Sequence, residues 1–200
     1  FGTRKYPANF THRDYVNPNA PKGGVCRSAS PGYYDSINII SVMGFPPLGL
    51  ELLAFDKLMV RSQDEPASQY GRLAETIRYP KDLSWVEYKL RANAKWSDGR
   101  PVTPEDVIFS VEVARKSGRP LVRRTGTPVK EAIKTGPRSV RMILTQSNTP
   151  TVVAQVNELT VLPKHFFAKT DFTKATMQIP VGSGPYRIKS FVPGRSIVLE

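Results

Sequence analysis

A chain of 200 residues, 40% hydrophobic and 23% charged, suffices for one or two domains, and two Trp, eight Tyr and nine Phe exclude a disordered polymer. No run approaches ~18 consecutive apolar residues, so membrane insertion is not expected. The net charge of +12 raises nucleic acid or an anionic membrane as partners, but the densest basic run, Arg115, Lys116, Arg119, Arg123 and Arg124, offers no aromatic stacking platform. No nucleic-acid partner is expected, and the charge reads as a solvated basic surface.

The chain opens at Phe1 rather than Met, which predicts an upstream segment, such as a cleaved signal peptide. Val25–Ser30 reads as a strand, bounded by Pro21-Lys22-Gly23-Gly24 and Pro31-Gly32. Cys26, the single cysteine, excludes an internal disulfide and reads as a small buried strand residue. Asp35–Met43 is mixed, and Gly44, Pro46, Pro47 and Gly49 mark a bend. Leu50, Leu53, Ala54 and Leu58 then recur with helical spacing.

Two hairpins follow. Glu75–Tyr79 and Trp85–Arg91 flank Pro80-Lys81-Asp82-Leu83, with Val86, Tyr88 and Leu90 on one face and Glu87, Lys89 and Arg91 on the other. Val129–Lys134 and Val140–Thr145 flank Thr135-Gly136-Pro137-Arg138, with Val140, Met142 and Leu144 on one face and Ile143 interrupting the polar one. Between the hairpins, Thr103-Pro104-Glu105-Asp106 predicts a helix start. The hydroxyl caps an orphan N–H, proline needs no donor there, and the acids suit the positive dipole end. Val107, Val111 and Ala114 form its apolar stripe, and Gly118 is the expected stop. Thr149-Pro150 starts a second helix through Val156, and His165 falls in a short third one. Tyr186–Val192 and Ser196–Glu200 flank Pro193-Gly194 as a last hairpin. The chain stops inside that strand pattern, which predicts a fragment of a longer protein. Interleaved strands and helices favour an α/β or α+β class.

No catalytic constellation stands out, and neither an enzyme nor a cofactor is expected. His12 and His165 lack metal-ligand spacing, so no metal site is expected. Gly182-Ser183-Gly184-Pro185 has the wrong glycine spacing for a nucleophile elbow and is followed by proline instead of a helix; it reads as a strand start or crossover. Glu105 and Asp106 diverge by ~100° on a helix, so their dipole role suffices.

Leu90-Arg91-Ala92-Asn93-Ala94-Lys95-Trp96-Ser97-Asp98-Gly99-Arg100-Pro101-Val102-Thr103-Pro104-Glu105-Asp106-Val107 resembles the signature of family 5 extracellular solute-binding proteins of ABC importers. Gly182-Ser183-Gly184-Pro185-Tyr186-Arg187-Ile188 is similar to the family's second motif. Three segments look like the YejA-type branch: Asp14 to Gly24, Leu58 to Pro66, and Val161-Leu162-Pro163-Lys164-His165-Phe166. Trp96-Ser97-Asp98-Gly99 also reads as a tight scaffolding turn. The sequence departs from the family at Val25-Cys26-Arg27, and at Leu121-Val122-Arg123-Arg124-Thr125, where that branch tends to carry aromatics.

The resemblance implies an α/β fold of the periplasmic binding protein-like II, or clamshell, type. Residues 1–45 and 181–200 would be parts of the first ligand-binding lobe and 46–180 an inserted mixed α/β domain. The second lobe would lie beyond Glu200. It further implies a monomeric periplasmic receptor that captures a peptide between two lobes and delivers it to an ABC permease and its ATPase. The implied ligand-binding residues are Asn38, Ser41, Val42, Met43, Gly44 and Phe45. Gly44 would permit close backbone approach. The competing reading is a truncated remnant acting as a small basic interaction protein.

Overall fold

The computed structural model describes residues 4–7, 9–117, 119–145, 149–169, 171 and 173–200. At its centre is a four-stranded antiparallel sheet built from both predicted hairpins. Its strands are β3 (Ala74–Arg78), β4 (Trp85–Leu90), β5 (Val129–Gly136) and β6 (Ser139–Leu144), in the order β3-β4-β6-β5. Val86 pairs with Met142 and Tyr88 with Val140, so the apolar alternation of β4 and β6 falls on one face. All four are fully buried. Helix α2 (Pro104–Lys116) covers that face with Val107, Val111 and Ala114. On the other face, Glu87 is buried between Arg78 and Arg141, and Arg141 lies 4.2 Å from the Trp85 ring centroid. Burial pushes the Glu87 carboxyl up, but the arginines outweigh it and hold it below the usual range.

The start of α2 forms as its sequence dictates. The Thr103 hydroxyl accepts the Asp106 N–H at 3.3 Å, and the Asp106 carboxylate accepts the Thr103 N–H at 2.9 Å. The helix ends at Lys116; Gly118, the expected stop, lies outside the described residues. Thr103→Ala is expected to cost about 1 kcal/mol of stability, read by urea denaturation, because one first-turn N–H loses its side-chain acceptor. An unchanged midpoint would show that Asp106 caps the helix alone.

The remaining elements pack around this unit. Short α1 (Leu50–Ala54) stops before Leu58, which is buried outside the helix. The hairpin of β1 (Met59–Ser62) and β2 (Glu65–Gly71) follows. Helices α3 (Pro120–Gly126), α4 (Pro150–Asn157) and α5 (Lys164–Phe167) lie between and after the central hairpins. The final hairpin pairs β7 (Ile188–Val192) with β8 (Ser196–Leu199).

The core divides into two clusters. One gathers the central sheet, α2 and α4. The other joins Tyr34, Ile37, Ile39 and Ile40 to Leu50, Phe55, Val113, Leu162, Phe167 and Ile188. It therefore draws residues from far-separated parts of the chain.

One expected element does not form. Val25–Ser30 is not a strand; residues 21–30 are exposed, and Val25 is 84% exposed. Cys26 is likewise exposed rather than buried. A strand needs a partner edge as well as turn signals at its ends, and none of the paired strands takes this segment. Tyr34 instead makes the connection to the last hairpin, its hydroxyl reaching the carbonyls of Val192 at 2.7 Å and Ser196 at 2.5 Å.

The N-terminal segment clasps the β1–β2 hairpin. Lys5 Nζ lies 2.6 Å from Asp64 and 2.7 Å from Asp14, and the rings of Tyr6, Phe10 and Tyr70 cluster at 5.1 to 5.6 Å. The ammonium of Lys5, with the Ser62 and Tyr6 hydroxyls, holds the Asp64 carboxyl well below the usual range.

Candidate functional site

The segment from Tyr33 to Phe45 has no regular structure, yet it is tightly held. Buried backbone cannot go unpaired, so side chains supply what a sheet ladder would. The Asn38 side-chain oxygen, Oδ1, accepts the N–H groups of Ile40 at 2.9 Å and Ser41 at 3.3 Å. Its amide nitrogen donates to Lys174 O at 2.8 Å. The Ser36 hydroxyl accepts from Asn38 N at 3.1 Å and Thr176 N at 3.2 Å. The Ser41 hydroxyl donates to Thr173 O at 2.5 Å and accepts from Met43 N at 2.9 Å. Asp35 and Phe45 close the loop, with Phe45 N donating to the Asp35 carboxylate at 2.6 Å and Asp35 N to Phe45 O at 3.1 Å.

This network divides the six predicted residues into two groups. Asn38 and Ser41 are buried posts that fix the backbone. Val42, Met43 and Phe45 project outward and are 57%, 61% and 60% exposed. Tyr33 is exposed beside them, its ring edge-on to Phe45 at 5.7 Å. Gly44 sits between the groups at φ 80°, and a Cβ there would lie 2.7 Å from Ser36 Cβ and 3.0 Å from Ala175 Cβ. The space that sequence reasoning reserved for an approaching ligand backbone is taken by the chain's own Ser36, Asp35 and Ala175. The outcome is an apolar strip on a rigid, hydrogen-bonded base.

The basic run is largely occupied by this architecture. The Arg119 guanidinium reaches Ser41 O and donates to Gly44 O at 3.1 Å. Arg123 donates to Ser117 O at 2.9 Å, Arg115 to Lys130 O at 3.3 Å, and Arg124 pairs with Glu158 at 3.4 Å. Four of the five cations in that run thus hold backbone or a carboxylate. Leu121, in the segment where aromatics are common, is exposed.

The motif-bearing segments converge elsewhere, on the buried carboxylate of Asp106. It receives the Trp96 indole N–H at 3.2 Å, the Lys164 N–H at 2.9 Å and the Thr103 N–H at 2.9 Å. Next to it, His165 Nε2 lies 2.8 Å from Asp98, and Ser97 N donates to Gly182 O at 2.8 Å. Burial pushes the Asp98 carboxyl up, but the Arg100 N–H and His165 outweigh it and hold it low. Asp106 thus does more than complement the helix dipole: it fastens three stretches of chain, the Trp96 turn, the start of α2 and the start of α5. Among the described residues, no three His, Cys, Asp or Glu side chains gather as a metal set, and no helix is long and apolar enough to cross a membrane.

The profile of the bacterial extracellular solute-binding proteins, family 5 Middle, matches residues 69–200. The chain belongs to this family. It is 38% identical over 206 residues to the "Probable peptide-binding protein YejA" of Agrobacterium fabrum, covering 100% of this chain and 33% of that protein. Over 209 residues it is also 38% identical to the "Peptidoglycan-binding protein YepA" of the same organism, covering 100% of this chain and 34% of that one. Among solved structures, NikZ from Campylobacter jejuni in complex with Ni(L-His) superposes with a TM-score of 0.60 at 26% identity, over 70% of this chain and 28% of its own. The architecture is that of the family 5 periplasmic binding proteins, mixed α/β, of which the chain covers part. It spans about a third of the length of the curated relatives it matches.

Proposed function

We propose that the chain supplies one wall of the ligand cleft of a periplasmic receptor, which captures peptides and delivers them to an ABC permease and its ATPase. In this reading, residues 1–45 and 181–200 belong to the first lobe, and 46–180 form the inserted domain. Val42, Met43 and Phe45 face the ligand, while Asn38, Ser41 and the tightly packed Gly44 position them. The observation that carries the proposal is the outward apolar strip on a base whose own polar groups are satisfied. A peptide laid on it would bury apolar side chains, and no buried donor of the base would have to be broken. The name of the YejA relative supports peptide as the ligand class.

A single wall leaves a bound peptide half solvated and orders it without compensation. Calorimetric titration with tri-alanine and Ala-Phe-Ala is expected to give weak or no binding to the 200-residue chain. A chimera in which this chain replaces the matching third of the A. fabrum YejA protein is expected to bind on the order of 100-fold more tightly, because a second wall excludes water. Tight binding by the short chain would show that the cleft is misplaced, and a chimera that takes up no peptide would remove peptides as the ligand class.

A further inference from the structure

The strip is shaped by a residue more than seventy positions away in sequence. Arg119 lies just after the C-terminus of α2 and is half-buried. Its Nε reaches the carbonyl of Ser41, and its Nη2 donates to the carbonyl of Gly44 at 3.1 Å. Those two carbonyls bracket Val42 and Met43. The neighbouring Ser117 hydroxyl donates to Ile40 O at 2.9 Å and accepts the Arg119 N–H at 3.2 Å, so the same junction holds the preceding residue too. Arg123 in turn holds the Ser117 carbonyl at 2.9 Å. Among the described residues, no carboxylate pairs with Arg119, and both assigned guanidinium bonds end on carbonyls of the strip.

A guanidinium is a planar fork whose donors diverge in fixed directions, so it can set the spacing of two carbonyls. An ammonium is a point charge and cannot fix both directions. Without the fork, the carbonyls of Ser41 and Gly44 lose their anchor on the α2–α3 side. Asn38, Ser41 and Asp35 would then hold the loop from within and from Thr173 to Thr176, and the Ser117 hydroxyl would still hold Ile40 O but neither carbonyl of the strip. We propose that Arg119 is a positioning residue for ligand capture: it fixes Ser41 to Gly44 so that Val42, Met43 and Phe45 present one ordered face. This rests on the reading of that strip as a ligand wall.

Amide hydrogen exchange and peptide titration together test it. Arg119→Ala is expected to speed exchange at Ile40, Ser41, Met43 and Phe45 about tenfold or more, with the amides of Val86 and Tyr88 in the central sheet unchanged. Arg119→Lys is expected to fall between the two. Millimolar guanidinium, but not methylammonium, is expected to slow exchange again in the alanine variant. In the YejA chimera, Arg119→Ala is expected to weaken Ala-Phe-Ala binding about tenfold. Unchanged exchange in the strip, or equal acceleration in the strip and the sheet, would overturn the positioning role. Faster exchange with undiminished peptide affinity would overturn its bearing on capture. The underlying ligand reading fails separately, if the unsubstituted chimera binds no peptide.

Discussion

Gly182→Ala is expected to destabilise the chain by about 3 kcal/mol, a loss large enough to threaten folding at physiological temperature. A Cβ at Gly182 would lie 1.9 Å from the Ala54 carbonyl oxygen. The obstacle is backbone, not a flexible side chain, so relief requires moving the loop that precedes β7 or the end of α1. Both are tied down: Gly184 N donates to Ala54 O at 3.0 Å, Tyr186 N to Leu53 O at 3.0 Å, and Ser97 N to Gly182 O at 2.8 Å. Gly99→Ala is the control. Gly99 has φ 87° but nothing within 4 Å of an added Cβ, so only conformational strain of about 1 kcal/mol is expected. Urea denaturation of the two variants decides the matter; equal losses would show that crowding at Gly182 relaxes freely.

Gly44→Val is expected to have the largest effect on capture. Valine at φ 80° is strained by about 1–3 kcal/mol, and its branched Cβ would press on Ser36, Asp35 and Ala175. The loop can relieve this by giving up the Asp35–Phe45 closure, which would displace Phe45 and Met43 from the strip. In the YejA chimera, peptide affinity is expected to fall more than about tenfold. Gly49→Ala separates strain from displacement, since φ there is 84° but nothing lies within 4 Å of the added carbon. It should leave affinity unchanged. Titration of both variants, with circular dichroism to establish that each is folded, is the measurement. Equal affinities for Gly44→Val and the unsubstituted protein would mean that the strip does not touch ligand.

The elements legible in the sequence are those fixed by neighbours. The two central hairpins announce themselves through a period of two in Val86, Tyr88, Leu90 and in Val140, Met142, Leu144, because each strand's partner arrives within a few residues. The α2 cap is legible because Thr103 and Asp106 are three residues apart. Val25–Ser30 misled because its bounding turn signals are local, while the partner strand that would make it a strand is not. Resemblance points to Asn38 and Ser41 to Phe45 as candidate ligand residues, but which of them face solvent depends on Asn38, Ser36 and Ser41 turning inward to bond Lys174, Thr176 and Thr173. By sequence Arg119 is one more cation of a basic run. Nothing local in a basic run tells a solvated guanidinium from one that meets two carbonyls 75 and 78 residues away.

The hydrogen bonds of Tyr34 also set an order in time. Its hydroxyl joins carbonyls 158 and 162 residues later, and Ser36, Asn38 and Ser41 wait for partners 140, 136 and 132 residues on. The Arg78–Glu87 pair of the central sheet spans only 9. Closing long loops costs more entropy before contacts repay it, so local pairings form first and distant ones late. The sheet and α2 can assemble while the segment around the strip is still searching. The strip proposed to meet ligand is thus among the last surfaces to acquire its shape, and a chain caught midway would hold a finished scaffold with an unformed strip.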